Sequence, residues 1–274
     1  MTETGTSNET AGQPQGEVGL SPDQLVEVMA LLGGADSVEL KLTVPDAHRR
    51  STLESLGIDP LDAQIRQVVF YDTPDLALNQ SGVVVRARRV QGRDGDTVVK
   101  LRPVVPDQLP KALRKLPSFG VEIDAMPRGF VCSASLKGVA ADADVKAVMA
   151  GSRATRKIFS KEQRAFFGTH APGGIAVDEL VRLGPINVFK LKFAPVGFSR
   201  RLVVELWNYP DGTRLLELST KCAPRDAFTV AAEAKAFLAS KGIDLSATQQ
   251  TKTRSALEFF AAELPADSPT ASAT

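Results

Sequence analysis

Period-two alternation, repeated along most of the middle of the chain, is the feature that most narrows the fold. The segments VELKL (38–42), QVVFYD (67–72), VVVRAR (83–88), TVVKLRP (97–103), FGVEID (119–124), IFSKEQRAFF (158–167), GIAVDEL (174–180), NVFKLKF (187–193), RLVVELWNY (201–209) and RLLELSTK (214–221) all follow it. Successive side chains on a strand point to opposite faces, so each segment predicts a strand with one apolar and one polar face. Asp94-Gly95 and Pro210-Asp211-Gly212 carry hairpin-turn chemistry. Connections this short join antiparallel neighbours, whereas parallel neighbours need a crossover. An antiparallel meander is therefore expected.

Helices fill the gaps. Ser21-Pro22 reads as an N-cap followed by proline at the first helical position, opening a helix to about Leu32 that stops at Gly33-Gly34. Residues 46–56 predict a second helix closed by Gly57, and Asp226 to about Ser240 a third, ended by Gly242. A last helix is expected over roughly 247–262. Residues 1–19 and 264–274 lack apolar periodicity and are expected to be disordered tails around a single domain, 20–263.

The polar faces are unusual in carrying charge at nearly every position. Glu39 and Lys41 share a face, as do Arg86 and Arg88, Lys100 and Arg102, Glu122 and Asp124, and Lys190 and Lys192; later come Glu205, and Glu217 with Lys221. One reading is an ordinary amphipathic sheet with these faces in water. The other is a sheet curled into a barrel with the charges inside and apolar helices packed outside. Buried unpaired charge is expensive, so such an interior must be wet, internally paired or filled by a complementary ligand. Eight bases against five acids leave a surplus of three positive charges, which points to a polyanion held by arginine forks and lysine point charges. Ion-pair ladders across strands, with no ligand, are the structural alternative.

Composition excludes several classes. A net charge of +1 over 274 residues gives no global pull toward nucleic acid or membrane. No apolar run approaches the ~20 residues of a membrane span, and the polar N-terminus has no signal-peptide core. Cys132 and Cys222 are in no metal-ligand spacing, which fits reduced thiols and a cytoplasmic protein. His48 and His170 read as surface residues, and neither a P-loop nor a dinucleotide glycine motif is present. Trp207 shares a face with Glu205, so it could stack a base or pack at a barrel rim. Lys252 and Arg254 read as a solvated helix face, or as an arm over the barrel mouth.

The segment FYDTPDLALNQSGVVVRARR (70–89) resembles the signature of the CYTH superfamily, the triphosphate tunnel metalloenzymes that include class IV adenylyl cyclases, thiamine triphosphatases and inorganic triphosphatases. VELKL (38–42) is similar to that family's first-strand Glu-x-Glu-x-Lys motif, VVKLRP (98–103) to a following strand with a tunnel lysine, KEQRAFF (161–167) to a later basic strand, and AVDELVRLGP (176–185) to an Asp and Leu-Gly segment. The resemblance spans residues 36–221 and implies an α+β fold: an antiparallel closed β-barrel of triphosphate-tunnel type, about eight strands, with helices outside. It implies that Lys41, Arg86, Arg88, Lys100 and Arg164 grip triphosphate oxygens and that Glu39 and Asp178 lie at a Mg²⁺ or Mn²⁺ site. Arg102, Lys190 and Lys192 join the phosphate-binding set from the strand faces.

Departures from the pattern bear on the metal. Ser37 stands where the resemblance expects the first glutamate, and Lys190-x-Lys192 where it expects a second Glu-x-Glu. A hard divalent cation needs oxygen ligands, and lysine repels it. Glu205 and Glu217 are the carboxylates that could restore the site. The expected ligand is a small-molecule triphosphate, nucleotide or polyphosphate, and the resemblance allows a homodimer. Metal-dependent hydrolysis of a triphosphate, cyclisation of ATP and metal-independent binding of a polyanion all remain open.

Overall fold

The computed structural model describes residues 21–127, 129–246, 249 and 252–265. The tails expected at 1–19 and 264–274 lie outside these, except for residues 264 and 265. Nine strands close into one barrel in the order β1-β5-β6-β4-β3-β2-β7-β8-β9: β1 (Ser37–Val44), β2 (Gln64–Asp72), β3 (Val83–Val90), β4 (Arg93–Leu101), β5 (Phe119–Met126), β6 (Gly129–Ala140), β7 (Val181–Phe193), β8 (Leu202–Asn208) and β9 (Arg214–Cys222). Every neighbouring pair is antiparallel except β1 and β5, which run parallel. An odd number of strands cannot alternate direction all the way round a closed ring, so at least one parallel pair is obligatory. The expectation of about eight antiparallel strands is corrected to nine with one parallel seam.

Seven helices accompany the barrel among the described residues: α1 (Pro22–Leu32), α2 (Arg49–Ser55), α3 (Ala77–Gln80), α4 (Asp142–Met149), α5 (Lys161–His170), α6 (Ala227–Ser240) and α7 (Lys252–Ala262). The first begins as expected. Ser21 Oγ accepts from the Gln24 amide at 3.2 Å, and the Gln24 side chain accepts from the Ser21 amide at 2.9 Å. None of the seven is long and apolar enough to cross a membrane.

Three expected elements differ. IFSKEQRAFF alternates like a strand, but Ser160 and Gln163 form a capping box, and residues 161–170 are the helix α5. Gln163 is fully buried, donating to the Thr97 and Leu136 carbonyls at 3.2 and 3.1 Å, so it anchors that helix to β4 and β6. GIAVDEL is not a strand: it starts on the last residue of the 3₁₀ turn Pro172–Gly174 and contains a second, Val177–Glu179. Asp94-Gly95 lies within β4, while the hairpin turns at Gln91-Gly92, where Gly92 takes φ +75°. A side chain at Gly95 would sit 2.3 Å from the Arg88 carbonyl, so strand packing requires that glycine.

Alternation sets two environments. The outward residues of β1 and β5, including Val38, Leu42, Val121 and Ile123, are buried beneath α1 and α6. Outward Val69, Val85 and Leu136 pack with Phe166 and Phe167 of α5 and Val145 of α4. These helices take up the apolar face of the sheet, so the charged face turns inward. One helix behaves differently. Ala256, Leu257 and Phe260 of α7 share an apolar cluster with Val68, Phe70, Val188 and Trp207, which belong to the inward face. The first turn of α7 therefore borders the barrel interior.

Candidate functional site

The barrel encloses a cavity of about 530 Å³ lined by eleven basic and five acidic side chains. Strand register divides them into three groups.

The first lies on β1 and β5. Parallel pairing sets Glu39 beside Asp124 and Ser37 beside Glu122, so three carboxylates share one wall. Their ligand oxygens come within 4.8 Å of one another. Asp124 is the hub: Lys41 sits 2.7 Å, Lys100 3.4 Å and Arg102 3.6 Å from it. Glu39 pairs with Lys41 at 3.2 Å and accepts from Ser219 Oγ at 3.1 Å. Glu122 pairs with Lys221 and accepts from Ser37 Oγ at 3.3 Å. Ser37 thus supports a carboxylate from the neighbouring strand at the position where the sequence motif lacks its own.

The second group lies on β7, β8 and β9. Glu205 and Glu217 are register partners, and Lys190 is the partner of Glu205 on the other side. Lys190 reaches Glu205 at 2.5 Å. From the first turn of α7, Lys252 bridges both carboxylates, 2.5 Å from Glu205 and 2.6 Å from Glu217. The Trp207 ring N–H also donates to Glu205 at 3.4 Å.

The third group is the arginine wall of β2 and β3. Arg88 donates to Asp96 at 2.5 and 2.8 Å, and Arg86 reaches the same carboxylate at 3.4 Å. Arg86 Nε is buried with no hydrogen-bond partner among the described residues. Arg66, 5% exposed, donates among the described residues only to the uncharged Gln64 amide oxygen, at 2.8 and 3.2 Å.

The groups are electrostatically unequal. Burial alone would raise the Asp124 carboxyl, but Lys100, Lys41 and Arg102 outweigh it and hold the group well below the usual carboxylate range. Glu205 is held far down in the same way, by Lys252 and Lys190 against burial. Several cations are strained instead. Burial lowers Lys100, Lys190 and Arg86, and carboxylate partners only partly offset it. Arg66 is lowered to about 10 by burial and by Arg88, leaving it charged at neutral pH. Cations that are desolvated and crowded together are relieved by an incoming anion, most of all by one carrying several charges.

Of the residues singled out from sequence, Lys41, Arg86, Arg88, Lys100, Arg102, Lys190, Glu39, Glu205 and Glu217 line this one cavity. Arg164, Asp178 and Lys192 do not. The Arg164 guanidinium donates to the Phe159 and Arg156 carbonyls at 2.6 and 3.3 Å, closing the turn that leads into α5. Asp178 accepts from the Arg156 amide at 2.8 Å and pairs with its guanidinium. Lys192 is exposed near the end of β7. The capping box that makes residues 161–170 a helix is what removes Arg164 from the inward face.

The cavity also holds Arg66, Lys137, Lys252 and Arg254, which sequence reasoning did not place at the site, and Glu122, Asp124 and Lys221, which it counted on the inward faces without a site role. Glu122, Asp124 and Lys221 were visible as face residues, and only the β1–β5 and β1–β9 pairings bring them to Glu39. Arg66 was masked by the apolar Val68 and Phe70 that share its face. Lys252, read as solvated helix surface or an arm over the mouth, is instead inside the barrel.

No protein-family model and no curated protein matches the sequence. Solved structures do match the fold. An adenylyl cyclase candidate from Hippeastrum, described as having a dominant triphosphatase activity, superposes with a TM-score of 0.59 at 17% identity, covering 81% of this chain and 95% of that one. A structure assigned as an adenylate cyclase from Bacillus halodurans superposes with a TM-score of 0.55 at 13% identity, covering 80% and 98%. The barrel and these superpositions together show that the chain shares the closed-barrel fold of these two structures.

Proposed function

We propose that the tunnel binds a triphosphate-bearing or polyphosphate anion and hydrolyses it with a divalent cation. The surplus of desolvated cations carries this reading: eleven bases face five acids, and Arg66 and Arg86 keep hydrogen-bonding capacity directed at no carboxylate. Lys41, Arg86, Arg88, Lys100 and Arg102 grip the phosphate oxygens, and Arg66 extends the grip along β2. Arginine forks fit the paired oxygens of a phosphate group, while lysines neutralise charge as it accumulates on the departing phosphate.

Glu39, Glu122 and Asp124 fit a Mg²⁺ or Mn²⁺ ion, because their oxygens converge and hard cations take carboxylate ligands. When bound, such an ion supplies Lewis-acid polarisation of a phosphoryl group. Lys221 is the exchangeable partner there. Half exposed and paired to Glu122, it can turn from carboxylate to phosphate when the cation enters.

Hydrolysis is favoured over ATP cyclisation. Phe70 and Trp207, the aromatic residues of the cavity wall, stack on each other (centroids 6.4 Å apart, planes at 22°) and are buried with α7, so neither offers an open face to adenine. The second reading is a metal-independent polyanion binder, favoured by the lysine on each of the three candidate ligands.

The test is thermal stability of the purified protein with tripolyphosphate, ATP and pyrophosphate, each with Mn²⁺ or with chelator. Ligand that binds the folded state raises the melting temperature by mass action. Stabilisation that needs Mn²⁺, with phosphate release, supports hydrolysis. Equal stabilisation in chelator without turnover supports the binder. No shift with any anion overturns both.

A further inference from the structure

The Glu205–Glu217 pair is a cation site whose cation is already part of the chain. We infer that Lys252 and Lys190 are tethered ammonium ions standing in for a divalent metal, so this half of the tunnel binds none, and that any metal is confined to the Glu39, Glu122 and Asp124 wall.

Two carboxylates in register across β8 and β9 repel each other and call for a cation between them. Lys252 supplies it with contacts of 2.5 and 2.6 Å, and Lys190 adds a second charge at 2.5 Å from Glu205. The side chains of Glu205 and Glu217 are 9% and 6% exposed, leaving little room for a hydrated ion to approach. Two ammonium groups against two carboxylates make the cluster neutral. A divalent ion would have to displace Lys252, leaving a buried ammonium over the Trp207 ring, 5.4 Å from its centroid, without a carboxylate.

The Glu39 wall differs at Glu122, while Lys41, its side chain 14% exposed, stays between Glu39 and Asp124 at 3.2 and 2.7 Å. Its cation at Glu122, Lys221, has a side chain 50% exposed and can swing into water at little cost. Lys252 has no such exit: its side chain is 18% exposed, and its helix is fixed by Ala256, Leu257 and Phe260 in the core. Lys252 therefore also ties α7 to the barrel. None of this depends on the phosphate reading.

The experiment counts Mn²⁺ bound per chain, by paramagnetic resonance of free Mn²⁺, with no phosphate present. Glu205→Gln is expected to leave the wild-type affinity for Mn²⁺ within about twofold, as for independent sites. The double variant Lys190→Gln/Lys252→Gln is expected to bind one Mn²⁺ more than wild type, to melt lower in chelator, and to recover its melting temperature when Mn²⁺ is added. Adding Glu217→Gln to it removes the extra ion. Loss of wild-type Mn²⁺ binding in Glu205→Gln overturns the inference, as does a folded double variant that gains no ion. If the double variant is unfolded with and without Mn²⁺, Lys252→Gln alone decides by the same count. Failure of tripolyphosphate to bind, by contrast, would remove the proposed function and leave this count unaffected.

Discussion

Asp124→Asn tests whether the tunnel is held together by its counterions. The substitution keeps the shape and removes one charge. Asp124 is 1% exposed and faces Lys41, Lys100 and Arg102 at 2.7, 3.4 and 3.6 Å. At an effective dielectric of 20 each pair amounts to roughly 5 kcal/mol of Coulomb attraction, most of it offset by the desolvation of both partners. The measurable quantity is the cost of leaving cations without a partner, about 3–5 kcal/mol when one side of a buried pair is removed. Lys41 retains Glu39 at 3.2 Å, whereas Lys100 and Arg102 pair with no other carboxylate among the described residues, so the full range applies. At about 2–4 °C per kcal/mol for a domain of this size, the melting temperature falls by about 6–20 °C at pH 7. The sign with pH follows from the direction of the shift. A carboxyl held below its unfolded value of about 3.9 contributes stability above that pH and loses it as the pH falls further. The gap between wild type and variant should therefore narrow below about pH 4. Tripolyphosphate should stabilise the variant more than the wild type, since it replaces the missing negative charge. Scanning calorimetry from pH 7 to acid, with and without tripolyphosphate, reads all three. A melting temperature within about 2 °C of wild type at pH 7, or a gap that persists unchanged in acid, would refute the counterion argument.

Arg86→Met should weaken tripolyphosphate binding at least tenfold by calorimetric titration while leaving the melting temperature unchanged or higher, because Asp96 keeps Arg88 and a poorly satisfied buried charge disappears. Unchanged affinity would remove Arg86 from the grip. Arg164→Ala should leave that affinity unchanged and lower stability only modestly, since its partners are the Phe159 and Arg156 carbonyls; a loss of affinity would place it back at the site. Gln163→Ala should cost about 2–4 kcal/mol in urea denaturation, the sum of a cavity and the loss of two buried hydrogen bonds. A cost below about 1 kcal/mol would show that α5 is held to the sheet by Phe166 and Phe167 alone.

The interior also shows how a charged barrel is stabilised by its own counterions. Each acidic side chain of the cavity is matched to at least one base, while the surplus lies on the arginine wall, where Arg66 has only an amide partner among the described residues. That arrangement separates the part of the tunnel that stabilises the fold from the part available to an anion.

The sequence by itself determined the class of this protein. Alternation is a local property, so VELKL, VVVRAR and RLVVELWNY disclosed their strands, and the charge on their polar faces disclosed an interior that had to be paired or filled. Caps are local too, yet at Ser160 the alternation of IFSKEQRAFF concealed one, and the resemblance of KEQRAFF to a basic strand carried Arg164 to the tunnel. β6 escaped notice because GFVCSASLKGVA is rich in small residues with no charge ladder to mark a face. Only the tertiary structure could decide what depends on pairing between distant segments. The parallel seam between β1 and β5 brings Glu122 and Asp124 to Glu39, residues 85 positions apart in the Ser37–Glu122 contact. The packing of Ala256, Leu257 and Phe260 carries Lys252 into the barrel, 35 positions from Glu217. No local pattern encodes either juxtaposition, because the energy that fixes them comes from the burial of apolar faces against elements far away in the chain.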